Sequence, residues 1–266
     1  MPMVDARLWP ESRSTIWIAC DSICRQLFIS LACQLVEILE PGVFHITPGI
    51  EITDSHRCVH FKGGGRMCLY YLGCFTGNCF LPICPMLRKN AKKKVTCMAE
   101  FVNLVQPGDS VFIGLGVHMH EDEEAQTIKE MELFKQMSPL LMEKAKVHWL
   151  TTSSQHFASK SGRWMNWGEK KMKKILALGC KPNNYSLGMG VVNTISKQYI
   201  AELGVPIIPL YDMTQPYSHL HLMNKKMRAR GGVDCTHFCN PGLPDVWGDV
   251  VFAHLRQWDN RTRFDI

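Results

Sequence analysis

Nowhere in its 266 residues does the chain hold the eighteen or so uninterrupted apolar residues that a membrane-spanning helix requires. It also lacks a glycine-rich nucleotide fingerprint, and no DNA- or RNA-binding module signature accompanies its basic residues. A nucleic-acid partner is therefore not expected. No secretory leader is evident, because Met1 to Ser14 is polar and the apolar stretch after it is interrupted by Asp21, Ser22 and Arg25. No composition shift marks a linker, so residues 1–266 read as one domain, long enough for a full core. Extreme charge is missing too. The net charge is +6, with much of the excess in Arg88–Lys94, Lys170–Lys174 and Lys225–Arg230, runs that read as solvated faces.

Cysteine, by contrast, is abundant. Twelve is high for a cytosolic chain of this size, and two readings stand: disulfides formed in a secretory compartment, or buried free thiols. The sequons Asn184-Tyr-Ser186 and Asn260-Arg-Thr262 favour the first. Residues 73–97 hold four of the cysteines, two prolines and a basic run, and are expected to form an irregular, cross-linked insertion.

Hydrophobic periodicity orders the rest. Thr15-Ile-Trp-Ile-Ala19 reads as a strand, Asp21-Ser22 as a tight turn, and Ile23, Leu27, Leu31, Leu35 and Leu39 as the apolar face of a helix. Val43 to Ile52 reads as short extended pieces. His60 to Tyr71 reads as strand, glycine turn (Gly63, Gly64, Gly65) and strand. Ser110–Val117 and Val147–Thr151 read as further strands, separated by a helix that reaches about Ala145. A helix over Val191–Leu203 leads to a fourth buried strand at Val205–Leu210, and Trp247–Leu255 closes the chain as a helix. Strands alternating with helices predict a mostly parallel sheet covered on both faces, with function at the strands' C-terminal ends.

Ser22, His118, His156, Asp212 and the turn Asp234-Cys-Thr-His237 all follow predicted strands. An acid and an imidazole three residues apart share one side of a helical turn, so Asp234 can orient the ring of His237. Ser22 is open to two readings: an ordinary helix N-cap, or a nucleophile placed where a helix dipole and free N–H groups meet a developing oxyanion. Cys235-x-His237-x-Cys239 admits a competing reading as metal ligands, although zinc sites use longer gaps and need a fourth donor. His118 and His156 are candidate substrate contacts, or loop histidines without that role.

Three blocks resemble a known family. Asp21-Ser22-Ile-Cys-Arg25-Gln26 is similar to the Gly-Asp-Ser-x-x-Arg block of the trichome-birefringence-like and related PC-esterase proteins, a branch of the SGNH (GDSL) hydrolase superfamily. Thr151-Thr-Ser-Ser-Gln155-His156-Phe157 with Gly162-Arg-Trp164 resembles their Thr-x-Ser-Pro-x-His-Phe segment and its later Gly-x-Trp. Asp234-Cys-Thr-His237-Phe-Cys239-Asn-Pro241-Gly242-Leu-Pro244-Asp245-Val-Trp247 resembles their Asp-Cys-Ser-His-Trp-Cys-x-Pro-Gly-x-Pro-Asp-x-Trp block. Two positions depart from the pattern. Cys20 replaces the glycine of Gly-Asp-Ser, and Gly114-Leu-Gly116 stands where superfamily relatives carry an oxyanion asparagine.

The resemblance implies a three-layer α/β/α sandwich and a serine-dependent O-acetyltransferase or acetylesterase. It would act on carbohydrate hydroxyls through an acetyl-serine, with Ser22 as nucleophile, His237 as base and Asp234 as orienting acid. The oxyanion and substrate contacts would come from the Ser22 N–H, Arg25, Gly63, Gly64, Gly114, Gly116, His118 and His156. It further implies no cofactor beyond an acetyl donor, no metal, a Golgi or secretory-lumen setting, and a membrane link only through an anchor that this chain lacks. The departures at Cys20 and Gly114 motivate a second expectation, a catalytically inactive glycan-binding relative.

Overall fold

The computed structural model describes residues 14–41, 56–76, 96–117, 123–163, 169–182, 186–221 and 234–264. Among these residues six strands form one sheet: β1 (Thr15–Cys20), β2 (His56–His60), β3 (Arg66–Tyr71), β4 (Asp109–Ile113), β5 (Ala145–Leu150) and β6 (Ile207–Ile208), in the order β2-β3-β1-β4-β5-β6. β1 pairs in parallel with β3 and β4, β4 with β5, and β5 with β6; only β2, at one edge, is antiparallel. Among the described residues seven α-helices accompany the sheet: α1 (Ser22–Gln34), α2 (Cys97–Leu104), α3 (Glu123–Met142), α4 (Glu169–Ala177), α5 (Met189–Glu202), α6 (Leu210–Thr214) and α7 (Leu243–Phe264).

Every residue of β1 is buried, as the continuous Ile-Trp-Ile run of a strand covered on both faces requires. Alternation along the strands then sorts the helices into two layers. On one face Trp17 meets Phe101 of α2 edge-on, and Trp149 meets Phe134 of α3. On the other, Phe112 stacks on His148, which meets His254 of α7 edge-on. α1 packs along α7. The expected three-layer α/β fold with a mostly parallel sheet is what the backbone adopts.

One buried carboxylate joins the two central strands. Asp109 accepts hydrogen bonds from the Thr15 N–H (2.7 Å), the Trp17 indole (2.8 Å) and the Gln106 N–H (2.9 Å). Three donors offset the cost of removing its charge from water.

The fourth expected strand is shorter than its apolar run. Pro206 and Pro209 lack the N–H that a ladder needs, so pairing is confined to Ile207–Ile208, and α6 begins at Leu210. The closing helix is longer than expected and starts at Leu243. The expectations for Val43–Ile52, for most of the 73–97 insertion and for Asn184 lie outside the described residues.

Candidate active site

β1 ends at Cys20, and α1 begins two residues later at Ser22. The helix cap is Asp21, whose Oδ1 accepts the N–H of Ile23 (3.0 Å) while Oδ2 accepts the N–H of Val117 (2.7 Å) beyond β4. Capping by Asp21 leaves the Ser22 hydroxyl for another partner. That partner is His237, whose Nε2 lies 2.7 Å from Ser22 Oγ. On the far side of the ring, Nδ1 lies 2.7 Å from Asp234 Oδ2. The carboxylate can only accept, so Nδ1 carries the proton, and Nε2 is left to receive one from Ser22.

Residues 234–242 do not form the helical turn that the three-residue spacing suggested. Instead, Asp234 Oδ1 accepts the N–H groups of Thr236 (3.0 Å) and His237 (3.1 Å), an Asx-type turn that curls the acid back over its own histidine. Burial raises the Asp234 pKa. The hydrogen bond and charge of His237 and the two N–H donors outweigh that and hold the carboxyl below its ordinary value.

Two disulfides flank these groups. Cys20 bonds to Cys24 across the Asp21-Ser22 turn, and Cys235, beside Asp234, bonds to Cys180. A third, Cys58–Cys68, staples β2 to β3. Cys20, which stands where the Gly-Asp-Ser pattern has glycine, is thus one half of a bridge around the Asp21-Ser22 turn. The alternative metal set is already committed elsewhere: Cys235 is disulfide-bonded, and both ring nitrogens of His237 face Asp234 and Ser22.

The remaining expected contacts fall in different places. Arg25 lies one turn along α1 from Ser22, and its charge acts on Tyr71, the last residue of β3. Gly116 borders the Asp21-Ser22 turn, and a Cβ there would stand 2.7 Å from both Asp21 Oδ2 and the Gly73 carbonyl. Gly114 is not presented to Ser22, because its N–H donates to the Ala19 carbonyl (3.1 Å) and a Cβ would come within 2.4 Å of the Leu150 carbonyl. Gly63 and Gly64 are not brought to the site either. They precede β3, whose first residue pairs with Thr15 at the opposite end of β1, roughly 20 Å of strand away from the Asp21-Ser22 turn. The N–H of Gly64 is used within its own turn.

His156 is fully buried behind the base loop. Its Nε2 lies 2.8 Å from the Gln215 carbonyl oxygen, and its Nδ1 lies 2.6 Å from Nε2 of His221, whose Nδ1 lies 2.9 Å from the His237 carbonyl oxygen. Burial pushes both rings toward the neutral form, His221 to about 3. His156 therefore supports the loop from the inside and faces no open surface. His118 lies outside the described residues.

Sequence reasoning passed over two neighbours of Ser22. The Tyr71 hydroxyl faces both the hydroxyl and the N–H of Ser22. Burial first, then the charge of Asp21, pushes its pKa up to about 12 against the opposing pull of Arg25 and Ser22. Gln26 sits one turn after Ser22 and pairs with the backbone of Phe238. The parallel neighbour of β1 and the four-residue helical step were the signals that could have found them.

No family model matches the chain. It is 27% identical to protein trichome birefringence-like 6 of Arabidopsis thaliana over 158 residues, which is 58% of this chain and 32% of that protein. It is 56% identical to trichome birefringence-like 38 of the same plant over 25 residues, 9% of this chain and 7% of that protein. The chain thus spans about a third of the length of the first relative. Among solved structures, a lipase/acylhydrolase from Enterococcus faecalis is similar with a TM-score of 0.46 at 12% identity, covering 92% of this chain and 96% of the other. A lipolytic G-D-S-L family member from Veillonella parvula is similar with a TM-score of 0.41 at 14% identity, covering 91% and 98%. By sequence, the chain is homologous to trichome birefringence-like 6 over those 158 residues.

Proposed function

We propose that the chain is a serine-dependent O-acetyltransferase or acetylesterase acting on carbohydrate hydroxyls. The observation that carries this reading is the unbroken line Ser22 Oγ, His237 Nε2, His237 Nδ1, Asp234 Oδ2, with 2.7 Å at each of its two hydrogen bonds. That is the reach a nucleophile, base and orienting acid need.

In the first half-reaction Ser22 Oγ bonds to the acetyl carbon and its proton passes to His237 Nε2. As the tetrahedral intermediate collapses, the departing donor oxygen takes that proton and leaves an acetyl-Ser22. In the second half, a sugar hydroxyl gives its proton to Nε2 and attacks the same carbon, and Ser22 recovers the proton as it departs. Water in place of the sugar makes the chain an esterase. The Ser22 N–H at the start of α1, the Tyr71 hydroxyl and the Arg25 guanidinium are the groups available to the developing oxyanion, one such donor being worth about 10²–10³ in rate.

Disulfides such as Cys20–Cys24, Cys58–Cys68 and Cys180–Cys235 favour an oxidising compartment such as the Golgi or secretory lumen, and no described helix is long and apolar enough to cross a membrane. Incubation with an activated acetyl ester, followed by mass spectrometry, tests the reading. An acetyl adduct on the Ser22 peptide is expected, transferable to an oligosaccharide or to water. Adduct formation that persists in Ser22→Ala would overturn it. Oligosaccharide binding with no acetyl turnover would favour the inactive glycan-binding alternative.

A further inference from the structure

Helix α1 carries Ser22, Gln26, Ser30 and Gln34 at four-residue steps, set among apolar residues such as Ile23, Leu27, Phe28 and Leu31. That spacing keeps the four in one row along the helix. Each member meets the same late segment of the chain. Ser22 faces His237; Gln26 Nε2 donates to the Phe238 carbonyl (2.6 Å), and its Oε1 accepts the Phe238 N–H (3.1 Å). Ser30 Oγ donates to Asp245 Oδ1, and Gln34 Nε2 donates to the Asp245 carbonyl (2.9 Å). Gly248 leaves room for this last contact, since a Cβ there would stand 2.8 Å from Gln34 Oε1.

Gln26 stands out in the row. It is buried, and so is Phe238, so both backbone groups of Phe238 depend on this amide in place of water. A primary amide that donates to a carbonyl and accepts the N–H of the same residue fits one register of the loop and no other. Asp234 fixes the ring of His237 only within its own loop, whereas Gln26 ties that loop to the helix bearing Ser22. The four-residue step from Ser22 to Gln26, about 6 Å of helix, thereby sets where the residue before Phe238 can stand.

We propose that Gln26 is a positioning residue that holds His237 in line with Ser22 through the backbone of Phe238. The proposal rests on reading Ser22 and His237 as nucleophile and base. Two variants and two readouts test it. Gln26→Met keeps the length and removes both hydrogen bonds, and should slow acetylation of Ser22 by about 10- to 100-fold with KM little changed, as a misplaced base would. Gln26→Glu opposes the Phe238 carbonyl as a carboxylate, but as the protonated acid it regains a donor and keeps an acceptor. Its rate relative to wild type should therefore rise several-fold as pH falls. A ratio flat with pH, together with a Gln26→Met variant at the wild-type rate, would overturn the proposal. Should the Met variant fail to fold, the pH dependence of the Glu variant decides. Should the wild type acetylate nothing, the functional reading fails, and proton NMR of the His237 Nδ1–H takes over: its loss in Gln26→Glu at neutral pH supports the positioning role, and its retention overturns it.

Discussion

His237 Nε2 lies 2.7 Å from Ser22 Oγ although 215 residues separate the two in sequence. Each is presented by a backbone device of its own: Ser22 by a strand-to-helix turn capped by Asp21, His237 by an Asx turn around Asp234. If Asp234 serves to hold the ring tautomer, Asp234→Asn should cut the acetylation rate by about 10⁴ while the fold survives. Single-turnover acetylation with a melting curve on the same sample checks this. A fall of less than about tenfold would place the carboxylate outside the chemistry.

Acid should weaken the fold in two adjoining stages. Burial, followed by the charges of His254 and Lys146, lowers His148 to about 4 from an ordinary 6.5. Between those values the unfolded chain takes up a proton that the folded one refuses, so the share held by His148 is full above about 6.5 and declines toward 4, by at most on the order of 3 kcal/mol, and buried His221, lowered to about 3, adds its own loss over the same range. Asp234, held below its ordinary 3.8, contributes stability that is present above that value and lost as pH falls further. Melting temperatures measured from pH 7 to 4 should drop, and His148→Phe should flatten the curve. An unchanged slope in that variant would remove His148 as the cause.

Tyr71 should ionise late. Spectrophotometric titration is expected to show one tyrosine near 12 that disappears in Tyr71→Phe. The same variant should slow acetylation by about tenfold if the hydroxyl helps the oxyanion, since a donor of that kind is worth this much or more. A wild-type rate would show that Ser22 and Arg25 suffice.

The two disulfides near the site should differ in weight. Closing a 55-residue separation, Cys180–Cys235 is worth about 4 kcal/mol in the chain-entropy account, whereas Cys20–Cys24, with a separation of 4, is worth about 2. Denaturant titration of the paired cysteine-to-alanine variants should rank them in that order. If Cys20→Ala/Cys24→Ala retains most of its stability but loses acetylation, the short bridge shapes the turn more than it stabilises the fold.

Much of the site was legible because its parts have local signatures. The apolar run of β1 followed at once by Asp21-Ser22 and a helical period marked the nucleophile turn, and the acid, histidine and proline-glycine corner marked the base loop. What failed to show was which parts meet. Gly63 and Gly64 looked suited to close backbone approach, yet a turn that enters a parallel neighbour of β1 must lie at the end away from Ser22, and that follows only once β1–β3 pairing is known. His156 sits in a recognisable segment, but its burial against His221 depends on residues 65 positions away. Gly114 resembled an oxyanion donor, whereas its N–H belongs to the β1 ladder. Gln26 was hidden differently, since a lone glutamine on a helix carries no motif until its partner Phe238 is placed beside it.

The row along α1 also carries a temporal consequence. A ribosome delivers Ser22 more than two hundred residues before Asp234, His237 and Asp245, so the helix must wait with Gln26 and Ser30 unmatched while the intervening sheet forms. A nascent or truncated chain ending before Asp234 would expose a serine with no base. The catalytic line, on this reading, comes into being only when the late segment docks.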